Sequence, residues 1–388
     1  MDLLSKRVKS IGPSATLRVN SQVQQLKAKG KDVINLSAGE PDFDTPEFIK
    51  EAAYKAIKEG RTKYTPTIGI LELREAIVDK FKKDNNIDYS CDQIVVSCGA
   101  KHSIYNILQA TVDDSSNEVI MPAPYWVSYP AMVSLAGGKS VFVDTSKTNF
   151  KVTPIQLNKH ITTNTKIFIL NSPSNPTGIV YEKDEIEALV DICKEKGILV
   201  ISDEIYEKLI FDNKAHYSAA SLNQENINHV VTVNGVSKSY SMTGWRVGYL
   251  GAPLELARAI GKIQSHSTSC AASVSQYASL VAIKEGDEWV NKTKQVFQER
   301  KDLVLKRLSE IEKINPLSPE GAFYIFVNIS KTGMKSMEFC ERLLKDAKVA
   351  TVPGEAFGMD GFVRMSFAAD LARINEAMDR LSIWVKQL

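Results

Sequence analysis

The chain has 388 residues, with 48 Lys and Arg against 46 Asp and Glu and a formal charge of +2. A balance this close to neutral, without a run of like charges, argues against a nucleic-acid or anionic-membrane partner and for a small molecule. Five cysteines (Cys91, Cys98, Cys193, Cys270, Cys340) stand far apart with no C-x-x-C pair, the N-terminus MDLLSKRVKSIGPS has no apolar signal core, and no stretch reaches ~18 apolar residues, so a soluble, untargeted, cytoplasmic protein with reduced thiols is expected.

From about Pro46 to Leu280, apolar β-branched runs alternate with amphipathic segments. The runs are QIVVS from Gln93, EVIM from Glu118, SVFV from Ser140, KIFIL from Lys166, ILVIS from Ile198, HVVTV from His229 and YLGA from Tyr249. Continuous apolar strands suit a sheet covered on both faces. Between them, Ile186, Leu189, Val190 and Cys193 follow helical spacing, and Gly197 supplies a stop. The alternation predicts a doubly wound, mostly parallel α/β unit over 46–285. After Glu285 the texture changes to a long charged helix (EWVNKTKQVFQERKDLVLKRL), an alternating strand AFYIFVNI, a helix, the short strand FVRMSF and a final helix. This α+β texture predicts a smaller domain built from 1–45 and 286–388. There is no internal repeat and no low-complexity linker, so the cleft between the two units is the expected site.

In open parallel sheets, ligands bind beyond the carboxyl ends of the strands. KIFIL leads into Asn171-Ser172-Pro173-Ser174-Asn175-Pro176-Thr177-Gly178, ILVIS into Asp203-Glu204-Ile205-Tyr206, and HVVTV into Asn234-Gly235-Val236-Ser237-Lys238. QIVVS runs into Cys98-Gly99-Ala100-Lys101 and a helix, a turn whose free N–H groups and helix dipole suit a phosphate. Alone, each feature is an ordinary cap, turn or surface residue. Together they bring a phosphate cradle, a carboxylate, an amine and a carboxamide to one rim. Other readings lack support. Gly138-Lys139-Ser140 has Val133 where a phosphate loop of the nucleotide-binding kind needs glycine, and no G-x-G-x-x-G separates a strand from a helix. The histidines show no metal-ligand spacing, so no metal is expected.

At these residues the chain resembles the fold type I pyridoxal-phosphate aminotransferases, and within them the bacterial aspartate aminotransferase subgroup. The resemblance runs from PSATLRVNSQVQQLKAKGKDVINLSAGEPDF through KYTPTIGILELREAI, SCGAKHSIYN, PAPYWVSYP, NSPSNPTG, SDEIYEKL and SKSYSMTGWRVGY to VPGEAFG and FVRMSFA. It implies a pyridoxal 5′-phosphate enzyme in which Lys238 forms the internal aldimine and moves the proton. Asp203 would face the pyridine nitrogen, while Tyr206 and Asn175 would bond the ring oxygen. Trp126 would stack on the ring, and the phosphate would take N–H groups of Gly99, Ala100 and Lys101, the guanidinium of Arg246, and Ser237. Tyr64 would reach the phosphate of a partner subunit, which implies a homodimer with shared active sites. Arg364 would grip the substrate α-carboxylate through a bidentate fork, with the backbone of Gly39 beside it.

The animal-type enzymes hold the distal carboxylate with an Arg near QSHSTSC; this chain has Ser265 there, and the subgroup's Lys101 is the expected replacement. Cys270-Ala271 and Gly12 also depart from the subgroup pattern. The expectation is ping-pong transamination between L-aspartate and 2-oxoglutarate, with an aromatic, prephenate or broad preference as the alternative. A non-catalytic effector-binding domain of this fold is the remote one, and the intact Lys238 and Arg364 speak against it.

Overall fold

Seven strands form one mixed sheet in this computed structural model, which describes residues 3–388. They are β1 (Ile94–Ser97), β2 (Glu118–Ala123), β3 (Lys139–Asp144), β4 (Thr165–Asn171), β5 (Leu199–Asp203), β6 (Val230–Gly235) and β7 (Gly248–Gly251), in the order β1-β7-β6-β5-β4-β2-β3. All seven coincide with the apolar runs of the sequence. β7 pairs antiparallel with β1 and β6, and the other pairings are parallel. The reversal has a local consequence: β7 starts at the rim where β1 and β6 end, with Gly248 opposite both Ser97 and Gly235. Arg246, two residues ahead of β7, therefore arrives beside the residues that follow β1 and β6.

Helices cover both faces. Helix α1 (Ala100–Thr111) lays Ile104, Ile107 and Leu108 on the sheet, and helix α2 (Lys183–Glu195) buries Ile186, Leu189, Val190 and Cys193 on the other side. Glu182 and Glu185 cap α2 reciprocally, and Gly197, at φ +66°, turns the chain out of it. Leu189 is fully buried, so Leu189→Ala would cost about 2–5 kcal/mol.

Beyond the sheet, helix α3 (Asp287–Ser309) leads to an antiparallel sheet of β8 (Asn315–Leu317), β9 (Tyr324–Asn328), β10 (Val352–Pro353) and β11 (Phe362–Ser366), in the order β10-β11-β9-β8. Helices α4 (Ser336–Asp346) and α5 (Leu371–Lys386) pack on it. The N-terminal segment joins this part: Ile34–Asn35 pairs in parallel with Val349–Ala350, and Ile34 and Leu36 share a core with Phe297, Phe323 and Phe367. The strand AFYIFVNI is more deeply buried than an alternating strand need be: Tyr324, Ile325, Phe326 and Val327 are all buried. Ile325 and Val327 face the α3–α5 core, while Phe326 packs with Val352 and Phe357 on the opposite side.

Candidate active site

The strand ends and the second sheet close around a cavity of about 330 Å³. Its wall includes Gly39, Ala100, Lys101, Trp126, Asn175, Asp203, Tyr206, Ser237, Lys238, Arg246 and Arg364. Residues of all four strand ends meet here, joined by Gly39 and Arg364, which stand more than 300 positions apart.

Lys238, after β6, is half-buried and donates from Nζ to the Gly39 carbonyl at 2.5 Å. Desolvation, aided by the cations of Arg364 and Arg246 and opposed by Glu40 and Asp203, pulls its pKa down to about 8. The amine is therefore substantially unprotonated in mildly alkaline solution, as a nucleophile or base requires. Asp203, the last residue of β5, is 4% exposed. Burial pushes its pKa up to about 6, partly offset by the Tyr129 hydroxyl at 2.6 Å and the Ile205 N–H at 3.3 Å. Among the described residues no Lys, Arg or His is ion-paired with it, so it is a buried carboxylate with room for a cation.

Arg364 presents the mirror image. It lies on β11 opposite Phe326 and Val352, is 2% exposed and, among the described residues, meets no carboxylate. Its Nη1 donates to Asn175 Oδ1 and its Nη2 to the Ser37 carbonyl, each at 2.9 Å, and the Tyr324 ring lies 4.2 Å beneath the guanidinium carbon. Its buried Nε finds no partner among the described residues. Burying a guanidinium without a counter-ion is costly unless an anion arrives.

At the start of α1, Gly99 has φ +89°, and a side chain there would overlap Arg246 Nη2. Gly99 thus makes room for the guanidinium, which is held by the Thr243 carbonyl at 2.7 Å and the Cys98 carbonyl at 3.4 Å. The expected N–H of Gly99 is not free: it donates to the Ser97 carbonyl at 2.8 Å, closing the tight turn. The first-turn N–H groups of Ala100 and Lys101 remain for an anion. Gly248 packs against this turn so closely that a Cβ would overlap Ala100 N.

Tyr206 shares a hydrogen bond of 2.9 Å with Tyr324, and burial pushes its pKa well up, keeping the phenol a neutral donor. Lys101 Nζ lies 5.0 Å over the Trp126 ring, and burial with the nearby Arg246 lowers its pKa. Ser237 is buried in the wall. Gly39 is exposed, and a Cβ there would sit 3.3 Å from the Tyr324 hydroxyl. Two expected site residues do not line the chain's own cavity: Gly99, which stands behind the lining against Arg246, and Tyr64, which is 91% exposed.

The structure adds residues that sequence reasoning missed. Tyr129 holds Asp203, Tyr324 holds Tyr206 and underlies Arg364, and Ser37 caps Arg364. Asn35 Oδ1 in turn accepts from Ser37 N and Oγ, at 3.0 and 2.6 Å. Thr16, Leu17 and Asn20 of the N-terminal helix Ala15–Ala28 also line the cavity. Tyr129 was within reach of the sequence, three positions after Trp126 in PYWVSYP.

The family model for aminotransferase class I and II matches residues 31–381. The chain belongs to this family. It is 45% identical over 390 residues to a Bacillus subtilis protein named aspartate aminotransferase, with 99% of each chain covered. It is 44% identical over 384 residues to an Aquifex aeolicus protein named probable aspartate/prephenate aminotransferase, with 97% of each covered. Among solved structures, an aspartate aminotransferase from Thermus thermophilus with maleate superposes with a TM-score of 0.95 at 39% identity, covering 99% of this chain and 100% of the other. The aminotransferase family and fold of the sequence reading are thus shown. No helix among the described residues is long and apolar enough to cross a membrane.

Proposed function

We propose that this aminotransferase holds pyridoxal 5′-phosphate at Lys238 and moves the amino group of L-aspartate to 2-oxoglutarate, giving oxaloacetate and L-glutamate by a ping-pong route. One observation carries the reading: an amine of lowered pKa, a buried carboxylate without a cation and a buried guanidinium without an anion face one cavity. The cofactor matches that donor set. Its phosphate suits the Ala100 and Lys101 N–H groups with Arg246 and Ser237, its pyridine nitrogen suits Asp203, its ring oxygen suits Tyr206 and Asn175, and its face suits Trp126. When bound, it supplies an electron sink for the bonds at the substrate's Cα.

The chain's own groups do the rest. Asp203 keeps its charge beside a cation, which removes the cost of its burial. Arg364, already aimed by Asn175 and Ser37, takes the α-carboxylate in a fork, with Gly39 beside it. Lys101 takes the distal carboxylate. Lys238 Nζ would take the Cα proton and deliver it to the cofactor's C4′ carbon, and run the same transfer in reverse for the 2-oxo acid, a task its pKa near 8 suits. Residues 46–285 act as the cofactor-holding unit, and 1–45 with 286–388 carry Arg364 onto the substrate, excluding water. The enzyme acts as a homodimer in which Tyr64 completes the partner's phosphate site, in the cytoplasm, where its five free cysteines stay reduced.

The test is a spectrum of the purified protein loaded with pyridoxal phosphate. L-Aspartate alone is expected to abolish the band of the lysine-linked cofactor, and 2-oxoglutarate to restore it. A band that ignores aspartate but is abolished by phenylalanine, or one that an amino donor abolishes and prephenate restores better than 2-oxoglutarate does, would assign the second reading; the name of the Aquifex aeolicus relative favours the prephenate form of it. A protein that forms no such band overturns both.

A further inference from the structure

Tyr64 sits on a surface loop that is held with unusual firmness. Two glutamines, each 0% exposed, reach this loop from helices roughly two hundred residues further along the chain. Gln276, on the helix Ser273–Glu285, accepts from Ile70 N at 2.8 Å and donates to Thr65 Oγ1 at 2.9 Å and to the Ala271 carbonyl at 2.8 Å. Gln264, near the end of the helix Leu254–Ser265, donates to the Thr67 carbonyl at 2.6 Å and the Val96 carbonyl at 2.7 Å, and accepts from Asn106 Nδ2 at 3.3 Å. Its own carbonyl receives the N–H groups of Ser267, Thr268 and Ser269, folding that exposed segment back on the helix.

Buried amides are tolerated when every polar atom is paired, and here both are. What they secure is one large side chain in solvent, outside the chain's own cavity, together with the exposed segment 265–269. Such rigidity does nothing for a side chain that meets only water. It lowers the ordering cost of a contact with something else. Gln264 also grips Val96, two residues before the Cys98–Gly99 turn, so it serves the chain's own anion site as well; among the described residues the Gln276 side chain hydrogen-bonds only the loop and the 271 turn.

We propose that Gln276, assisted by Gln264, is a positioning residue that acts in trans: it fixes Tyr64 in the geometry that completes the cofactor-phosphate site of a second copy of this chain. The inference rests on the shared-site dimer proposed above. Dimers of two differently tagged chains test it, with one chain made unable to link the cofactor by Lys238→Ala. When Gln276→Ala is placed on the Lys238→Ala chain, the single working site is completed by the altered loop. The dissociation constant of pyridoxal phosphate there, read from the lysine-linked absorption band, is expected to rise roughly tenfold, the size that follows when an amide's partners lose their hydrogen bonds. When Gln276→Ala is placed instead on the chain that keeps Lys238, the working site is completed by an unaltered loop and its affinity should match dimers carrying Lys238→Ala alone.

Both dimers carry the same two substitutions, so a general loss of stability weakens them equally. Equal weakening, or none in the first dimer, overturns the proposal. If Gln276→Ala does not fold, Thr65→Val removes only the hydroxyl that Gln276 holds, and the same two pairings are expected to differ in the same sense by a smaller factor. The functional reading fails separately, in an unaltered protein that takes up no pyridoxal phosphate.

Discussion

Two clusters of buried charge lie side by side at the end of β5, and they differ in one respect. In the first, Asp203, Lys238 and Arg364 surround a cavity and leave their charges unmatched. In the second, starting at the very next residue, both carboxylates are hydrogen-bonded or ion-paired, although His216 Nδ1 finds no partner among the described residues. Glu204 accepts from Ser202 Oγ at 2.7 Å, Ser218 Oγ at 2.8 Å and His216 Nε2 at 3.0 Å. Glu207 is ion-paired with Lys80 and accepts from Asn85 Nδ2 at 2.6 Å. Burial alone would raise the pKa of Glu207, but Lys80, His216 and these hydrogen bonds outweigh it and the net shift is downward. For Asp203 the balance runs the other way, up to about 6. Glu204, Glu207 and His216 come close enough to resemble a metal-ligand trio, yet the Lys80 ammonium already supplies the positive charge. A buried charge, then, marks a ligand site only where its partner is missing.

The contrast can be broken at several strengths. Lys238→Ala should lower the single-turnover rate with aspartate by about 10³-fold or more while leaving the fold intact, as far-ultraviolet circular dichroism would report. On the matched side, Lys80→Met strands Glu207 without a counter-ion. It should cost about 3–5 kcal/mol in urea unfolding while kcat per folded molecule holds, and a kcat loss without instability would place Lys80 in the chemistry instead. Arg364→Lys keeps the charge but loses the fork, so kcat/KM for amino acids should fall on the order of 100-fold with cofactor affinity preserved.

Asp203→Asn should act with opposite signs on two forms of the protein. Because the folded pKa of Asp203, about 6, exceeds its ordinary 3.8, the buried carboxylate opposes folding above pH 6, and this penalty fades as the pH falls from 6 toward 4. The cofactor-free variant should therefore be more stable at pH 8 by about 1–3 kcal/mol and gain little at pH 4.5, while its hold on pyridoxal phosphate weakens. A destabilised cofactor-free variant at pH 8 would mean that Asp203 is not strained. Smallest of all, Lys101→Ala should lower kcat/KM for aspartate about tenfold relative to phenylalanine, and equal losses for both would remove Lys101 from distal-carboxylate recognition.

Much of the unmatched cluster was legible in the sequence because strand ends punctuate long apolar runs: Asp203 ends β5, and Lys238 and Asn175 follow shortly after β6 and β4. Arg364 was legible by resemblance alone, since a short strand FVRMSF says nothing of what lies across from it. Ser37, Asn35 and Tyr324 escaped because their contacts join segments that only the second sheet brings together. The strand AFYIFVNI shows the same limit: it is buried on both faces, and nothing in its pattern tells that its tyrosine lies under Arg364. The glutamines at 264 and 276 escaped because a single amide on an amphipathic helix carries no periodic signal.

Gly248 has no polar atom and touches no expected ligand, yet it lies against the turn that offers the Ala100 N–H. A drifting lineage can trade one anion-binding side chain for another and keep its affinity. It cannot add one methyl group at position 248 without displacing the turn. The inherited constraint on this anion site is therefore one of volume, and a saturation screen should find an intolerant position where a search for functional groups finds nothing.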